Sequence, residues 1–230
     1  MINLINLSKF ITGNHFFKVK EGKIQGFASS RFEHWRIYSP FLFYLQYISN
    51  SVSILYLLNL KDKQKYTIPF YKRSSEYYVD CEQHKEFIYS CGGYFNEYLN
   101  TSMRYNLRTL PNTKTEAQCM NEKRNYTSLV STPSYLFLIA GCNSTGLLKS
   151  CEYFDNQSNS WKLSSNLNNA DNSINVIYIN SSQLFAFGGS NYAFIEKLYL
   201  EKNGLPNSGC VNLNTQNATQ SYYGVAFQRN

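Results

Sequence analysis

Apolar residues in this chain come in short runs, each too brief for a helix and each cut off by Gly, Asn, Asp or Ser. The clearest example lies between Tyr135 and Leu163. There Leu136-Phe137-Leu138-Ile139 stops at Ala140-Gly141, and a polar loop leads to Ser150-Cys151-Glu152-Tyr153-Phe154. The turn cluster Asp155-Asn156-Gln157-Ser158-Asn159 follows, and then a segment opening at Trp161. β-Prone runs separated by turn formers predict antiparallel strands joined by tight turns. A hairpin stack of that size cannot bury both of its own faces, so it needs copies of itself alongside.

The chain supplies them. Gly92-Gly93 closes Phe87–Cys91, Gly141 closes the run just described, and Gly188-Gly189 closes Leu184–Phe187. The first glycines are separated by 141 − 92 = 49 and 188 − 141 = 47 residues. Downstream, Tyr105, Tyr153 and Tyr199 keep nearly the same beat, at 48 and 46. A period near 48 built from strands predicts an all-β propeller with four strands to each blade.

These residues resemble the kelch motif: an apolar strand ending in Gly-Gly, a loop, a Tyr-Asp-like pair, then a Trp. The fullest unit has Gly141-Cys142 as its doublet, then Tyr153-Phe154-Asp155 and Trp161-Lys162-Leu163. The units at Gly92-Gly93 (with Arg104-Tyr105-Asn106) and at Gly188-Gly189 (with Glu196-Lys197-Leu198-Tyr199) lack the Trp. The resemblance implies radially stacked sheets, with glycines where backbones crowd and Tyr and Trp wedged between neighbouring sheets. It also implies that residues just after the doublet, and at the start of each first strand, contact peptide partners. In this chain the first group is Tyr94, Phe95, Asn143, Ser144, Ser190 and Asn191; the second is Arg124, Asn125, Asp171 and Asn172.

Counting in periods predicts about four blades, near 34–70, 75–120, 124–168 and 172–214, possible parts of an incomplete or truncated ring. The first blade has no glycines. It starts at His34–Tyr38, and Phe41–Leu58 divides into two strands about an Asn-Ser turn. First strands are expected at Glu76–Val79, Tyr126–Ser131 and Ile174–Ile179, and outer strands of the last blade at Ile195–Leu200 and Cys210–Leu213. Residues 1–33 suggest a hairpin about Glu21-Gly22, as a worn blade or a cap. A final run at 221–228 includes Val225, 49 residues after Val176, and falls in the first-strand slot of another blade. It either pairs into the N-terminal blade and closes the ring or begins a further one.

Composition narrows the function. Aromatics make up 17% of residues and charged residues only 16%, which fits an aromatic-filled sheet protein and argues against disorder. The net charge of +7 favours acidic partners, but the basic residues are dispersed, so no nucleic-acid partner is expected. No apolar stretch reaches the ~18 residues of a membrane helix. The six cysteines form no CxxC and no zinc spacing. Met1–Asn6 lacks the basic start and apolar stretch of a signal peptide, so reduced cysteines and a cytoplasmic location are expected, with secretion as the alternative. The sequons at Asn100, Asn125 and Asn143 carry little weight in so Asn- and Ser-rich a chain.

Catalytic patterns are missing. His15, His34 and His84 lie in separate segments, away from the last two blades, whereas the copper radical oxidases among kelch-like propellers need several His ligands. The acids are scattered rather than paired, and neither a GxSxG nor a phosphate loop occurs. The expectation is a monomeric, non-enzymatic module without metal or cofactor, binding a protein or peptide through its loops. The alternatives are a substrate-recognition subunit of a ubiquitin ligase and a secreted copper or carbohydrate-active enzyme.

Overall fold

Among the described residues the short apolar runs form strands, and within each sheet neighbouring strands pair antiparallel; the final run at 221–228 lies outside those residues. The computed structural model describes residues 17–20, 23–26, 34–38, 41–49, 52–59, 64–70, 80–109, 114–179, 182–190 and 194–213. Four sheets of four strands result, each a simple up-and-down meander. The first comprises His34–Tyr38, Phe41–Ser49, Val52–Asn59 and Lys65–Phe70. The second is Asp80–His84, Phe87–Cys91, Ser102–Asn106 and Lys114–Ala117. The third is Ser128–Ser131, Leu136–Asn143, Gly146–Asp155 and Ser160–Leu163. The fourth is Asn175–Ile179, Gln183–Gly188, Phe194–Leu200 and Pro206–Leu213. The hairpin expected about Glu21-Gly22 forms from Phe17–Lys20 and Lys23–Gly26.

The first strands are the inner ones. His34–Tyr38 lies beside Asp80–His84, which lies beside Ser128–Ser131, which in turn lies beside Asn175–Ile179. Sheets that touch through successive first strands fan out as blades of a propeller. One inner strand differs from expectation. The run Glu76–Val79 lies outside the described residues, and the second blade's inner strand is Asp80–His84, whose Asp, Glu, Gln and His gave no apolar signal.

The core lies between the sheets. Tyr89 and Cys91 of the second sheet pack against Leu129, Leu136, Leu138, Phe154 and Trp161 of the third. Val130, Phe137, Ile139 and Cys151, on the other face of the third sheet, pack against Val176, Tyr178, Leu184, Ala186 and Leu198 of the fourth. Residues on opposite faces alternate, as the pleat requires. Trp161 is buried, its ring 5.3 Å from that of Phe154.

Backbone angles correct the repeat. The residues with φ near +50 to +76° at the end of the second strands are Gly92, Ala140 and Gly188; each is followed by a glycine at φ 112°, 111° and 126°, namely Gly93, Gly141 and Gly189. The doublet of the third blade is therefore Ala140-Gly141, not Gly141-Cys142. Its spacing becomes regular, since 140 − 92 = 48 and 188 − 140 = 48.

Register corrects the aromatic wedge as well. The residue four before each doublet (Ile88, Leu136, Leu184) faces Tyr105, Phe154 and Leu198 on the third strand. All three partners are buried, at 2%, 0% and 1% exposure. Tyr153 and Tyr199, expected as counterparts of Tyr105, each fall one place out of that register, on opposite sides of it. Tyr153 is half-buried on the opposite face, and Tyr199 is 40% exposed.

Candidate functional site, the rim of glycine-turn loops

The loops that follow the doublets share one end of the sheets with the segments that enter the next blade, because a repeated backbone clamp joins them. Gly93 N donates to Arg124 O (2.9 Å), and Arg124 N donates to Leu99 O (2.9 Å). One blade on, Gly141 N donates to Asp171 O (3.0 Å), and Asp171 N donates to Leu148 O (3.2 Å). Two of the doublet glycines leave no room for a side chain. A Cβ on Gly189 would sit 2.2 Å from Asp171 Oδ2, and one on Gly92 would sit 2.3 Å from Arg124 O.

Behind the clamp lies a buried charge network. Arg124 Nη1 donates to the carbonyls of Ala140 (3.0 Å) and Ser150 (2.9 Å). Its Nη2 donates to Glu152 Oε1 (2.9 Å), Glu122 Oε2 (3.0 Å) and Ser150 Oγ (3.2 Å). The Ser150 hydroxyl donates to Glu122 Oε2, and Asn143 Nδ2 to Glu122 Oε1 (3.1 Å). Glu152 also accepts from Asn121 N and Nδ2 (2.8 Å each) and from Glu122 N (3.1 Å). A carboxylate taking that many donors, with a guanidinium beside it, meets the condition for burying a charge.

Glu196 repeats the arrangement in the fourth blade, without the arginine. It accepts from the backbone and side-chain amides of Asn168 and Asn169. Both glutamates lie opposite the residue two before the doublet, Leu138 and Ala186. Sequence reasoning missed them, although an acid inside an otherwise apolar strand is itself a signal of a satisfied buried charge.

This network corrects three expected contact residues. Arg124 and Asp171 are fully buried and Asn125 is 4% exposed. Their side chains bond inward: Asn125 Oδ1 accepts from Cys142 Sγ (2.8 Å), and Asp171 Oδ1 accepts from Asn172 N, Ser190 N and Ser190 Oγ. Their side chains anchor the rim from within. Asn125 is shut off as a glycosylation acceptor for the same reason.

The remaining rim residues are open to varying degrees. Ser144 is exposed; Tyr94, Phe95, Asn143, Asn172 and Ser190 are half-buried; Asn191 lies outside the described residues. Tyr94-Phe95 and Glu97-Tyr98 form a small hairpin that turns at Asn96, whose φ is 54°. The rings of Tyr94 and Tyr98 meet edge to face at 5.2 Å. Lys123 pairs with Glu97 and holds its carboxyl below the usual carboxylate range. Three aromatics, Tyr94, Phe95 and Tyr98, therefore gather on one small hairpin.

Among the described residues no three His, Cys, Asp or Glu side chains converge as a metal site. Burial pushes the thiols of Cys91 and Cys151 up to about 12, the reverse of an activated nucleophile. His84, the one histidine whose side chain is described, lies in the inner strand of the second blade and bridges it to the third, bonding Ser131 and Asn156. No described helix is long and apolar enough to cross a membrane.

Comparison with known proteins agrees with this geometry. A family model of the kelch motif matches residues 123–168, running from the residue before Arg124 through the third blade. The solved structure of YjhT is similar, with a TM-score of 0.62 at 11% identity, over 81% of this chain and 66% of that one. The chain thus spans a little under two thirds of that structure's length, and identity so low speaks for fold alone. No curated protein sequence matches the chain. The chain therefore carries a kelch motif over Arg124, the Ala140-Gly141 turn, Glu152 and Trp161, within a β-propeller fold whose sheets adjoin through their inner strands.

Proposed function

We propose that this propeller is a non-enzymatic interaction module that captures a protein or peptide on the rim of glycine-turn loops. The observation that carries the reading is the hairpin Tyr94–Tyr98. It places three partly open aromatic rings on a short, cross-braced turn of the rim. Rigid aromatic side chains give large contact area at low entropic cost and are enriched among binding hot spots. The scaffold behind them is braced, because Arg124 at the rim bonds inward to Ser150 and Glu152 in the third strand of its own blade. Loops held in that way are where propellers collect recognition residues.

Affinity capture with the full chain tests the reading. A Tyr94→Ala/Tyr98→Ala variant that stays folded loses its specific partners, whereas Gln157→Ala, at the other end of the third sheet, keeps them. Retention of every partner by the Tyr variant contradicts the proposal. Arg124 is unsuited to this test, since its loss disturbs the fold rather than the surface.

A further inference from the structure

The chain holds a single Asn-Gly step, Asn203-Gly204. It lies in the turn that joins Phe194–Leu200 to Pro206–Leu213, the third and outermost strands of the fourth sheet. Gly204 N donates to Glu201 O (2.8 Å), closing a β-turn, and Glu201 N donates to Leu205 O (2.8 Å). Glu201, Lys202 and Asn203 are exposed, so water and hydroxide reach the turn. The Asn203 side chain folds back on the backbone that follows it. Leu205 N donates to Asn203 Oδ1 (2.9 Å), an Asx turn that holds the side-chain amide over the peptide group of Gly204. The same bond draws electrons from the amide carbon and makes it a better electrophile. Gly204 has no Cβ to screen its nitrogen from that carbon.

We propose that Asn203 is a site of spontaneous modification, closing to a succinimide on Gly204 N and opening to aspartate or isoaspartate, and that the isoaspartate unseats the turn from the third blade. In the first step hydroxide removes the Gly204 amide proton, the nitrogen attacks Asn203 Cγ, and the bond from Cγ to Nδ2 breaks. Nδ2 takes a proton from water and leaves as ammonia, which regenerates hydroxide. In the second step water adds to one ring carbonyl and its bond to nitrogen breaks. Opening at Cγ gives aspartate. Opening at the main-chain carbonyl gives isoaspartate, whose backbone runs through the side-chain carbons and is one atom longer. Either product carries a negative charge that the amide lacked.

The extra atom matters because of where Gly204 sits. A Cβ on it would lie 2.9 Å from Ser134 Cβ and Oγ and 3.5 Å from Tyr135 Cδ2, so the turn rests closely on the third blade. Tyr135 packs its ring edge to face on Phe137 (6.3 Å) and Tyr153 (5.0 Å), against the core between the third and fourth sheets. Asn143 offers an internal comparison. Its Oδ1 likewise accepts from the amide two residues on, Thr145 N (2.8 Å), but the residue between is Ser144, which has a Cβ.

Ageing the full chain at mildly alkaline pH tests this, read by peptide mass analysis and by labelling with an isoaspartyl methyltransferase. The mass gain of an amide-to-acid exchange is expected at Asn203 several-fold faster than at Asn143, with isoaspartate at Asn203 and none there in Asn203→Gln. The melting midpoint of the aged chain should fall below that of fresh chain, whereas Asn203→Gln, aged alike, keeps its own. An unchanged Asn203, or conversion at Asn143 first, overturns the assignment of the site. Full conversion to isoaspartate that leaves the midpoint unmoved overturns its effect on the seam between the blades.

Discussion

Arg124 Nη2 donates to Glu152 Oε1 at 2.9 Å, with neither side chain exposed to solvent. Arg124 begins the third blade and Glu152 sits in its third strand, so the pair ties the blade's entry to its middle. The backbone of Arg124 meanwhile holds the glycine turn of the blade before. A single residue thus fixes two blades through different atoms.

Removing one partner strands the other charge in the interior. Arg124→Ala or Glu152→Ala should each cost about 3–5 kcal/mol, a large share of the roughly 5–15 kcal/mol that holds a domain together. Chemical denaturation checks this. A midpoint within error of the parent's for either variant contradicts the network.

The second glycine of the doublet allows a sharper backbone test. A Cβ on Gly141 would lie 2.6 Å from Asn125 O, and φ there is +111°. Gly141→Ala combines that clash with a conformation few L-residues adopt, at a cost of at least about 2 kcal/mol. Gly146, at φ +121° with open space about the Cβ position, carries only the conformational penalty. Thermal melting of the two alanine variants should therefore rank Gly141→Ala well below Gly146→Ala.

Much of this architecture is legible in the sequence, and the exceptions have physical reasons. The glycine turns announce themselves because few other residues take φ above +100°. Ala140 hides its turn because Ala carries no such signal, yet it sits at φ 56° in the slot of Gly92 and Gly188. That substitution shifted the apparent doublet by one residue and, with it, the alignment of Tyr153. The inner strand Asp80–His84 is hidden because its polar groups satisfy one another across blades. Asp80 Oδ2, for instance, accepts from Leu129 N at 2.8 Å. At the rim, composition gave the loop positions but not their burial. A long cationic side chain at a blade entry suits a partner's carboxylate and an internal one equally well, and for Arg124 the internal acceptors win.

His84 makes the fold sensitive to acid. It is 1% exposed, and Asn156 Nδ2 donates to its Nε2 (2.8 Å), so Nδ1 carries the proton and donates to Ser131 Oγ (2.9 Å). Burial, then the charge of Lys85, holds its pKa at about 4, with Glu86 pulling weakly the other way. In the unfolded chain it returns to about 6.5, so between these values the unfolded state binds more protons. Stability present above pH 6.5 is lost as pH falls towards 4, by at most about 3 kcal/mol. Denaturant midpoints at pH 7.5, 5.5 and 4.5 should drop for the parent and flatten for His84→Gln.

Thiol labelling reads the packing directly. Cys119 is exposed, whereas Cys81, Cys91 and Cys151 are buried, and all four are free thiols. A maleimide followed by peptide mass analysis should modify Cys119 quickly in the native protein. The other three should react only on unfolding, because the core shuts off access, and for Cys91 and Cys151 burial also disfavours the thiolate. Rapid native labelling of Cys151 contradicts the packing of the third sheet on the fourth.

The account's central claim is that partners meet the rim of glycine-turn loops, and site-specific photo-crosslinking tests it most directly. A photoreactive phenylalanine is placed at Phe95 or Ser144 on that rim, or at Gln157 on the opposite end of the third sheet, in the full chain. The prediction is crosslinking of a specific partner from Phe95 and Ser144 and none from Gln157. Adducts from Gln157 alone, or equally from all three, would contradict it.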